Sequence, residues 1–279
     1  MLKVLKSGFY TTIQDIGRFG LRDKGVPISG IMDIETVFKL NALLENQEDA
    51  AVLEITMTGP TLEFEEDTFI TLGGAEFSMT LNNEPIENFK VIKIKSGDIL
   101  SYGRLKKGFR GYLAIKGGFT SKKVLQSRSY YPSINPKGLI KDRALIPYEK
   151  TTVFKPKLSE MKVDDHLDEN MLLVGKGPEF TMLSDKQLEH LFFKEFSIAN
   201  ENNRMAYQLN EPIRGHKVSM LTSATLPGTV QFTPNGKLII LMKDGQTTGG
   251  YPRILQLTDK AISVLAQKKA GDLVLFKLI

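Results

Sequence analysis

Between residues 51 and 118 the chain is a succession of short apolar or alternating segments, each closed by residues that favour tight turns. The turn signals are Gly59-Pro60, Gly73-Gly74, Asn82-Asn83 and Ser96-Gly97-Asp98. Short segments that alternate or run apolar between such turn residues indicate β-strands. The predicted strands are residues 52–57, 68–72, 77–81, 89–94, 98–102 and 111–115. Strands this short at this spacing predict a β-barrel or a β-sandwich.

The second half repeats this organisation after a proline-bearing, strand-poor stretch at residues 125–168. Predicted strands cover residues 171–174, 195–199, 217–221, 229–233, 237–242 and 272–278. Two helices are predicted there, one opened by a Ser184/Gln187 capping box and one over residues 258–268. The Gly97-Asp98 turn is echoed by Gly271-Asp272, which modestly supports two related β-rich domains. Their predicted bounds are residues 1–155 and 156–279.

Residues 243–254 form a dense polar loop between two predicted strands. This loop contains Asp244, Gln246, two threonines, a glycine pair, Tyr251 and an arginine, where a connection needs only small polar residues. Loops that bind ligands or perform catalysis have this composition. The glycine pair allows positive φ and close approach of backbone N–H groups to a ligand. A tight turn with incidental polarity is the alternative interpretation.

A second polar, glycine-rich region occupies residues 7–33. Asp33 precedes apolar residues at helical spacing and is therefore predicted to be the N-cap of a helix that ends near residue 45. Asn41 falls on or beside the apolar face of that helix, so it is predicted to make a buried structural hydrogen bond.

Composition excludes several classes of function. The absence of cysteine excludes disulfides, thiolate catalysis and zinc-thiolate sites. No apolar run is long enough to span a membrane, and the first residues lack the features of a signal peptide, so a cytoplasmic protein without a membrane partner is expected. The formal charge of +5 comes from scattered lysines, and the basic cluster at residues 104–107 is short. Nucleic-acid binding is therefore not expected.

The common catalytic motifs are missing. His166, His190 and His216 are far apart in sequence and lie outside the polar loops, so each is interpreted as a surface or partly packed residue. A histidine-based metal site and a Ser-His-Asp triad are not expected. Neither Gly-x-x-x-x-Gly-Lys-Ser/Thr nor Gly-x-Gly-x-x-Gly after a strand is present. The remaining carboxylates, amides and arginines in loops suit an anionic or amide-containing small molecule.

Polar motifs follow one another along nearly the whole chain: Gln14-Asp15-x-Gly17-Arg18, Gly25-Val26-Pro27-x-Ser29-Gly30-x-Met32-Asp33, Leu53-Glu54, Ser127-Arg128-Ser129, Asn203-Arg204-Met205, Gln231 and Asp244-x-Gln246-Thr247-Thr248-Gly249-Gly250-Tyr251-Pro252. Together with Gln267 and Gly271-Asp272, this series closely resembles the allophanate hydrolase subunit 2 family. That family is also called the biotin-dependent carboxyltransferase or KipA family.

The resemblance implies a mainly β protein with a few helices, built as two cyclophilin-like β-barrel domains in tandem. It implies a partner of the KipI or allophanate hydrolase subunit 1 type. In the 5-oxoprolinase branch of the family, a third subunit of the LamB/YcsF type joins them, and the complex uses ATP to open the cyclic amide 5-oxoproline to glutamate. The ATP site within such a complex is unassigned, no biotin is expected on this chain, and the chain is expected to be inactive without its partners.

Two alternatives remain open. One is the carboxyltransferase component of a biotin-dependent urea carboxylase or allophanate hydrolase system. The other is a non-catalytic KipA-type regulator that antagonises a histidine-kinase inhibitor.

The resemblance and the polar loops predict Asp244, Asp33 and Arg204 as catalytic residues and no metal site. The residues predicted to bind substrate are Gln14, Asp15, Arg18, Glu54, Arg128, Gln231, Gln246, Thr247, Thr248, Gly249, Gly250 and Tyr251. These loops are expected to converge on one pocket. The chain departs from the family at residues 202–206, where Asn203 stands for an aspartate and Ala206 for a glycine, and at residues 126–130, where Gln126 stands for a glycine and Tyr130 for a threonine. The loss of a carboxylate at residue 203 removes any general-base role there.

Overall fold

The computed structural model describes residues 1–163 and 167–279. His166 lies outside these ranges. The chain falls into two compact units. Unit 1 comprises Met1–Arg18 and Ser29–Leu167, and unit 2 comprises Phe19–Ile28 and Asp168–Ile279.

This division differs from the predicted boundary at residue 155, because residues 156–163 and Leu167 belong to unit 1. Two backbone hydrogen bonds tie this stretch to the segment before β7: Val91 N donates to Ser159 O at 2.7 Å, and Met161 N donates to Phe89 O at 2.9 Å. Residues 19–28, which precede every predicted strand, belong to unit 2.

Unit 1 contains helix α1 and nine strands in its described residues. Their bounds are α1 Ile34–Leu43, β1 Leu2–Lys6, β2 Tyr10–Gln14, β3 Val52–Thr56, β4 Thr61–Phe64, β5 Thr68–Leu81, β6 Glu84–Pro85, β7 Ile92–Ile94, β8 Ile99–Ile115 and β9 Leu145–Ile146, with a short 3-10 helix at Pro136–Gly138. The strands form one sheet in the order β2-β3-β8-β4-β1-β9, and β5 pairs with β6, β7 and β8.

Two of these strands are longer than the sequence predicts. The predicted strands 68–72 and 77–81 are one strand, β5, and the predicted strands 98–102 and 111–115 are one strand, β8. The signal at Gly73-Gly74 is not a turn, because Gly73 pairs with Tyr112 and Gly74 pairs with Gly111 inside the ladder. The register shifts just after Gly74, so the glycines mark a β-bulge.

Helix α1 begins where the sequence predicts. The Asp33 carboxylate accepts a hydrogen bond from Thr36 N at 3.0 Å, which confirms the N-cap. The helix buries Val37 and Leu40 against Phe69 of β5. Asn41 is 1% exposed, and its amide donates to Ala50 O, which confirms the predicted structural hydrogen bond.

Unit 2 is built around a closed barrel in the order β10-β17-β14-β15-β12-β11-β18, and β13 and β16 form a separate two-stranded ladder. The bounds are β10 Met171–Lys176, β11 Phe196–Asn202, β12 Ala206–Leu209, β13 Ser223–Ala224, β14 Thr229–Phe232, β15 Leu238–Leu241, β16 Thr248–Gly249, β17 Arg253–Leu257, β18 Leu273–Leu278, α2 Asp185–Phe193 and α3 Asp259–Ala266, with 3-10 helices at Arg22–Lys24 and Phe180–Met182. Parallel pairing of β10 with β18 closes the barrel. Because the barrel is closed, its sheet has no unpaired edge strand.

The predicted strand at residues 217–221 is wrong. These residues form no strand, and Leu221 is 89% exposed. These residues have no partner strand and no apolar face that packs against the other described residues of unit 2. An alternating pattern without such partners does not form a strand. The Ser184/Gln187 capping box is confirmed, since Ser184 N donates to Gln187 Oε1.

The predicted fold class is confirmed: the protein is mainly β, with a closed barrel in unit 2 and a curled half-barrel sheet in unit 1. His190 stacks on Phe196 and His216 hydrogen-bonds to Phe232 O, so both are partly packed as predicted. Within residues 1–163 and 167–279, no helix combines the length and the apolar character needed to cross a membrane.

Candidate functional site

Asp15 organises the first group of predicted site residues in unit 1. It follows β2 and is 4% exposed. Its carboxylate accepts hydrogen bonds from Ser127 Oγ at 2.5 Å, Ser129 Oγ at 2.6 Å, Arg128 N at 2.5 Å and Gly17 N at 3.0 Å. Four donors around one buried carboxylate fix the loop at residues 127–129, so the geometry supports a positioning role for Asp15.

The two arginines beside Asp15 differ in what they contact. Arg18 is 1% exposed, and its guanidinium donates to Val124 O at 3.3 Å and Ser129 O at 2.5 Å. It therefore holds the same loop from its other side. Arg128 is half-buried, and its Nε has no hydrogen-bond partner within the described residues. Arg128 consequently has donor capacity left for an anion.

Tyr112 joins the second group of predicted residues in unit 1. Its hydroxyl donates to Glu54 Oε2 at 3.0 Å and accepts from Asp33 N at 2.9 Å. Burial raises the pKa of Tyr112 well above its usual value, and the negative charges of Glu54 and Asp33 raise it further. The phenol therefore stays protonated and remains a donor to Glu54, which also pairs with buried Arg110 at 3.9 Å. An alternating strand gives no signal that distinguishes Tyr112 from an ordinary core aromatic, so the sequence did not point to it.

Asp33 and Gln14 are completely buried in unit 1. Both oxygens of Asp33 accept hydrogen bonds from Thr36, one from its backbone N and one from its hydroxyl. This geometry supports the capping role of Asp33, and its catalytic role stays a prediction. Gln14 Nε2 donates to Thr12 Oγ1 at 3.0 Å, whereas its Oε1 is buried without a partner in the described structure.

In unit 2 the barrel brings Arg204 and Asp244 together. Strand β12 pairs with β15, and the loops beyond them continue this pairing: Met242 N donates to Met205 O and Asp244 N donates to Arg204 O, both at 2.8 Å. The side chains form a bidentate ion pair, with Nε to Oδ2 at 2.8 Å and Nη2 to Oδ1 at 3.2 Å. Arg204 is 6% and Asp244 is 8% exposed. Since each binds the other, the pair first of all positions the two loops.

The departure at residue 203 has a structural explanation. Asn203 Oδ1 accepts hydrogen bonds from Met205 N at 2.7 Å and Ala206 N at 3.2 Å. This is an Asx turn, which needs only a side-chain oxygen, and asparagine supplies it as well as aspartate does. The Arg204 loop thus keeps its local geometry without the family's carboxylate.

Two glutamine amides lie close to the position that a Cβ would take at Gly249. A Cβ at residue 249 would stand 2.2 Å from Gln231 Nε2 and 2.8 Å from Gln246 Nε2. Gln231 is 2% exposed, and its Nε2 has no hydrogen-bond partner among the described residues, whereas Gln246 is exposed. A primary amide offers two donors and an acceptor. Next to a glycine backbone, this pair can recognise an amide or a carboxylate.

Residues 246–249 are held by a segment that no sequence pattern singles out. Thr225 donates through Oγ1 to Gln246 O at 2.6 Å and through N to Thr247 O at 3.0 Å, and β13 pairs with Thr248 and Gly249. Arg22 donates to Thr225 O, and its Nη1 is buried without a partner among the described residues. Burial lowers the pKa of Arg22 from its usual value. The sequence does not indicate this contact, because 203 positions separate Arg22 from Thr225.

The end of the polar loop is more open. No atom lies within 4 Å of the position that a Cβ would take at Gly250, and Tyr251 is 41% exposed. Arg253 at the start of β17 pairs with Glu179 at 2.8 Å and donates to Ala224 O at 2.5 Å. Thr248, Gly250 and Tyr251 are therefore accessible from solvent on an anchored loop, whereas Gly249 is buried.

We expect Gly249→Ala to impair substrate binding more than folding. The new methyl group would stand 2.2 Å from Gln231 Nε2, so the Gln231 amide must move. It can move because it is the end of a side chain with rotatable bonds. The expected result is a rise of at least about tenfold in KM, equivalent to roughly 1.4 kcal/mol, with a change of less than about 1 kcal/mol in the free energy of unfolding. Steady-state kinetics and urea denaturation measure the two effects. Gly250→Ala is the matched control, because open space surrounds that residue; an equal rise in KM for both variants contradicts the role of Gln231.

The structure thus groups the predicted residues within each unit. In unit 1 it brings together Asp15, Arg18 and Arg128, and separately Asp33 and Glu54 around Tyr112. In unit 2 it pairs Arg204 with Asp244 and places Gln231 and Gln246 beside Gly249. The convergence of all these loops on one pocket stays a prediction.

Comparison with known proteins identifies relatives over almost the whole chain. The family model described as carboxyltransferase domain, subdomain A and B, matches residues 24–278. The chain is 33% identical over 277 residues to the C subunit of 5-oxoprolinase from Escherichia coli (strain K12), with 98% of this chain and 89% of that protein covered. It is 27% identical over 305 residues to urea amidolyase of Lachancea kluyveri, with 98% of this chain and 17% of that protein covered.

Among solved structures, TTHA0988 superposes on this chain with a TM-score of 0.88 at 24% identity. The alignment covers 99% of this chain and 55% of that one, so this chain spans about half the length of TTHA0988. At this level of identity the likeness supports the fold alone.

Proposed function

Because the chain belongs to the carboxyltransferase domain family, subdomains A and B, we propose that it is a subunit of an ATP-dependent 5-oxoprolinase. In this proposal it acts with a KipI-like subunit and a third, LamB/YcsF-like subunit to open 5-oxoproline to glutamate. ATP binds to the assembled complex, and the chain alone is inactive.

One observation carries this proposal: the similarity to the C subunit of 5-oxoprolinase extends over nearly the full length of both proteins. The similarity to urea amidolyase is lower and confined to a small part of that much longer protein.

The amides of unit 2 suit a lactam substrate. A cyclic amide presents one N–H donor and one carbonyl acceptor, and the unpaired Nε2 of Gln231 is a donor for that carbonyl. Because this donor is buried, its hydrogen bond to substrate is strong, and binding of a ligand that lacks the carbonyl is unfavourable. Gln246, an exposed residue whose amide also lies close to Gly249, supplies a second amide.

The substrate carboxylate needs a cation, and in unit 2 Arg22 is the candidate. Arg204 is bound by Asp244 and Arg253 is bound by Glu179. The Arg22 guanidinium retains a buried donor at Nη1, and a carboxylate placed there would offset the unfavourable burial of its charge. In unit 1 the corresponding candidate is Arg128, through its unpaired Nε.

Asp244 orients the reacting group in this proposal rather than serving as a free base. Both of its oxygens accept hydrogen bonds from Arg204, so a proton acceptor at this position must first give up part of the ion pair. The carboxylate stands two residues before Gln246 and therefore fixes where the binding loop starts.

A carboxyltransferase component of a urea carboxylase system is the second candidate. The family description and the similarity to urea amidolyase favour it.

The deciding experiment measures ADP release by the complex captured on this chain from cells that express its native partners. We expect 5-oxoproline to stimulate ADP release with stoichiometric formation of glutamate. Stimulation by urea plus bicarbonate, without a response to 5-oxoproline, would establish the second candidate instead. Silence with both, despite a captured KipI-like partner, would contradict both enzymatic proposals and leave the regulatory one.

A further inference from the structure

A cavity lies in unit 1. Its volume is about 430 Å³, which is in the range of small-molecule sites. It lies between the segment 121–124, the segment 134–140 and β9, and Ile13 of β2 contributes to its wall. None of its lining residues is among the predicted site residues.

The wall of this cavity is mainly apolar. Its aliphatic side chains include Ile13, Val124, Ile134, Leu139, Ile140 and Ile146. Two uncharged polar side chains also belong to the lining: Asn135, and Ser121, whose Oγ is buried without a hydrogen-bond partner in the described part of the chain. An unpaired buried hydroxyl is unfavourable, and a polar ligand atom would relieve it.

The charge at this cavity is entirely positive. Lys122 and Lys137 contribute to the lining and are exposed, and neither forms an ion pair with another described residue. The described lining contains no carboxylate. Residues 119–147 carry six lysines and arginines against a single acid, Asp142, whose carboxylate accepts a hydrogen bond from Ser7 N. An anion is therefore the complementary ligand.

The cavity adjoins the loop held by Asp15. Ile13 O accepts a hydrogen bond from Tyr130 N at 2.9 Å. Val124 O accepts from Arg18 Nε, and Asn135, also in the lining, donates from Nδ2 to Arg128 O at 2.9 Å. A ligand in the cavity would thus contact three residues that hydrogen-bond directly to Arg128, to Tyr130 at the end of the loop, or to Arg18.

We propose that this cavity binds a small organic acid with an apolar body, and that its occupancy stabilises the loop at residues 127–129. The aliphatic wall takes the hydrocarbon part, and Lys122, Lys137 and the Ser121 hydroxyl take the carboxylate. The cavity is an effector site in this proposal, and the proposal does not depend on the reaction that the protein performs.

Octanoate is a suitable probe, since it combines a single carboxylate with a flexible hydrocarbon chain. Calorimetric titration of the full chain is expected to show saturable binding of octanoate. Binding of uncharged 1-octanol is expected to be at least about tenfold weaker, because it lacks the charge-assisted hydrogen bonds. The variant Lys122→Gln/Lys137→Gln is expected to weaken octanoate binding by at least about tenfold at an unchanged Tm. Lys141→Gln, at an exposed lysine outside the lining, is the matched control and is expected to bind normally.

Amide hydrogen exchange tests the effect on the loop. Octanoate is expected to slow exchange of the Arg128, Ser129 and Tyr130 amides in the native chain and in Lys141→Gln, but not in the double variant. Absence of saturable binding, equal binding of octanol, or unchanged affinity in the double variant overturns the proposed site. Normal binding with unchanged exchange in the loop overturns its role as an effector site.

Discussion

Replacing Asp244 by alanine is expected to abolish turnover and to lower the free energy of unfolding by about 3 kcal/mol or more. The substitution removes the carboxylate that accepts two hydrogen bonds from Arg204, a guanidinium that is only 6% exposed. Breaking a buried ion pair destabilises the fold because the remaining charge stays buried and no longer interacts with an opposite charge. Urea denaturation of the purified chain measures the stability, and glutamate formation by the reconstituted complex measures the turnover.

Two control variants separate stability from chemistry. Arg204→Met/Asp244→Leu replaces the ion pair with apolar side chains of similar size, and it is expected to recover most of the stability while remaining inactive. Gln246→Ala changes an exposed side chain of the same loop and is expected to alter stability by less than about 0.5 kcal/mol. Turnover retained by Asp244→Ala would remove Asp244 from the mechanism. Turnover restored in the apolar double variant would show that the pair only supports the fold.

The second large effect is expected at Asp15. Asp15→Ala removes the common acceptor of four donors: two serine hydroxyls, Arg128 N and Gly17 N. Since Asp15 is 4% exposed, water does not replace the carboxylate freely. We expect a loss of about 4 kcal/mol in the free energy of unfolding, together with a loss of activity because Arg128 is no longer held.

Partial substitutions give the graded control for Asp15. Asp15→Asn keeps an oxygen acceptor and is expected to lose roughly half as much stability, because the hydrogen bonds are then neutral. Ser127→Ala removes one donor and is expected to cost about 1 kcal/mol. Urea denaturation of the three variants should therefore rank Asp15→Ala, Asp15→Asn and Ser127→Ala in decreasing order of effect. A loss below about 1 kcal/mol for Asp15→Ala would contradict the positioning role.

Local sequence signals predicted local structure well. The N-cap at Asp33, the capping box at Ser184 and the buried hydrogen bond of Asn41 all form as predicted. Each depends on residues no more than a few positions away, or on the periodicity of one helix. The strand at 217–221 failed for the opposite reason, because a strand requires a partner that the pattern does not reveal.

The sequence also located the polar loops, but it did not reveal which of their side chains bind one another. Arg204 holds Asp244, 40 positions away. Asp15 binds Ser127 and Ser129, more than 100 positions away. Arg22 and Tyr112 were not singled out, although both contact residues that matter for the candidate site.

By itself, therefore, the sequence determined the mainly β class, the helix caps and the identity of the polar loops, because turn residues, periodicity and side-chain composition act over a few positions. Only the tertiary structure decided which buried charges satisfy one another and which donors, such as Gln231 Nε2, remain for a ligand. Those partners are set by strand pairing and barrel closure, which join residues that no local signal connects.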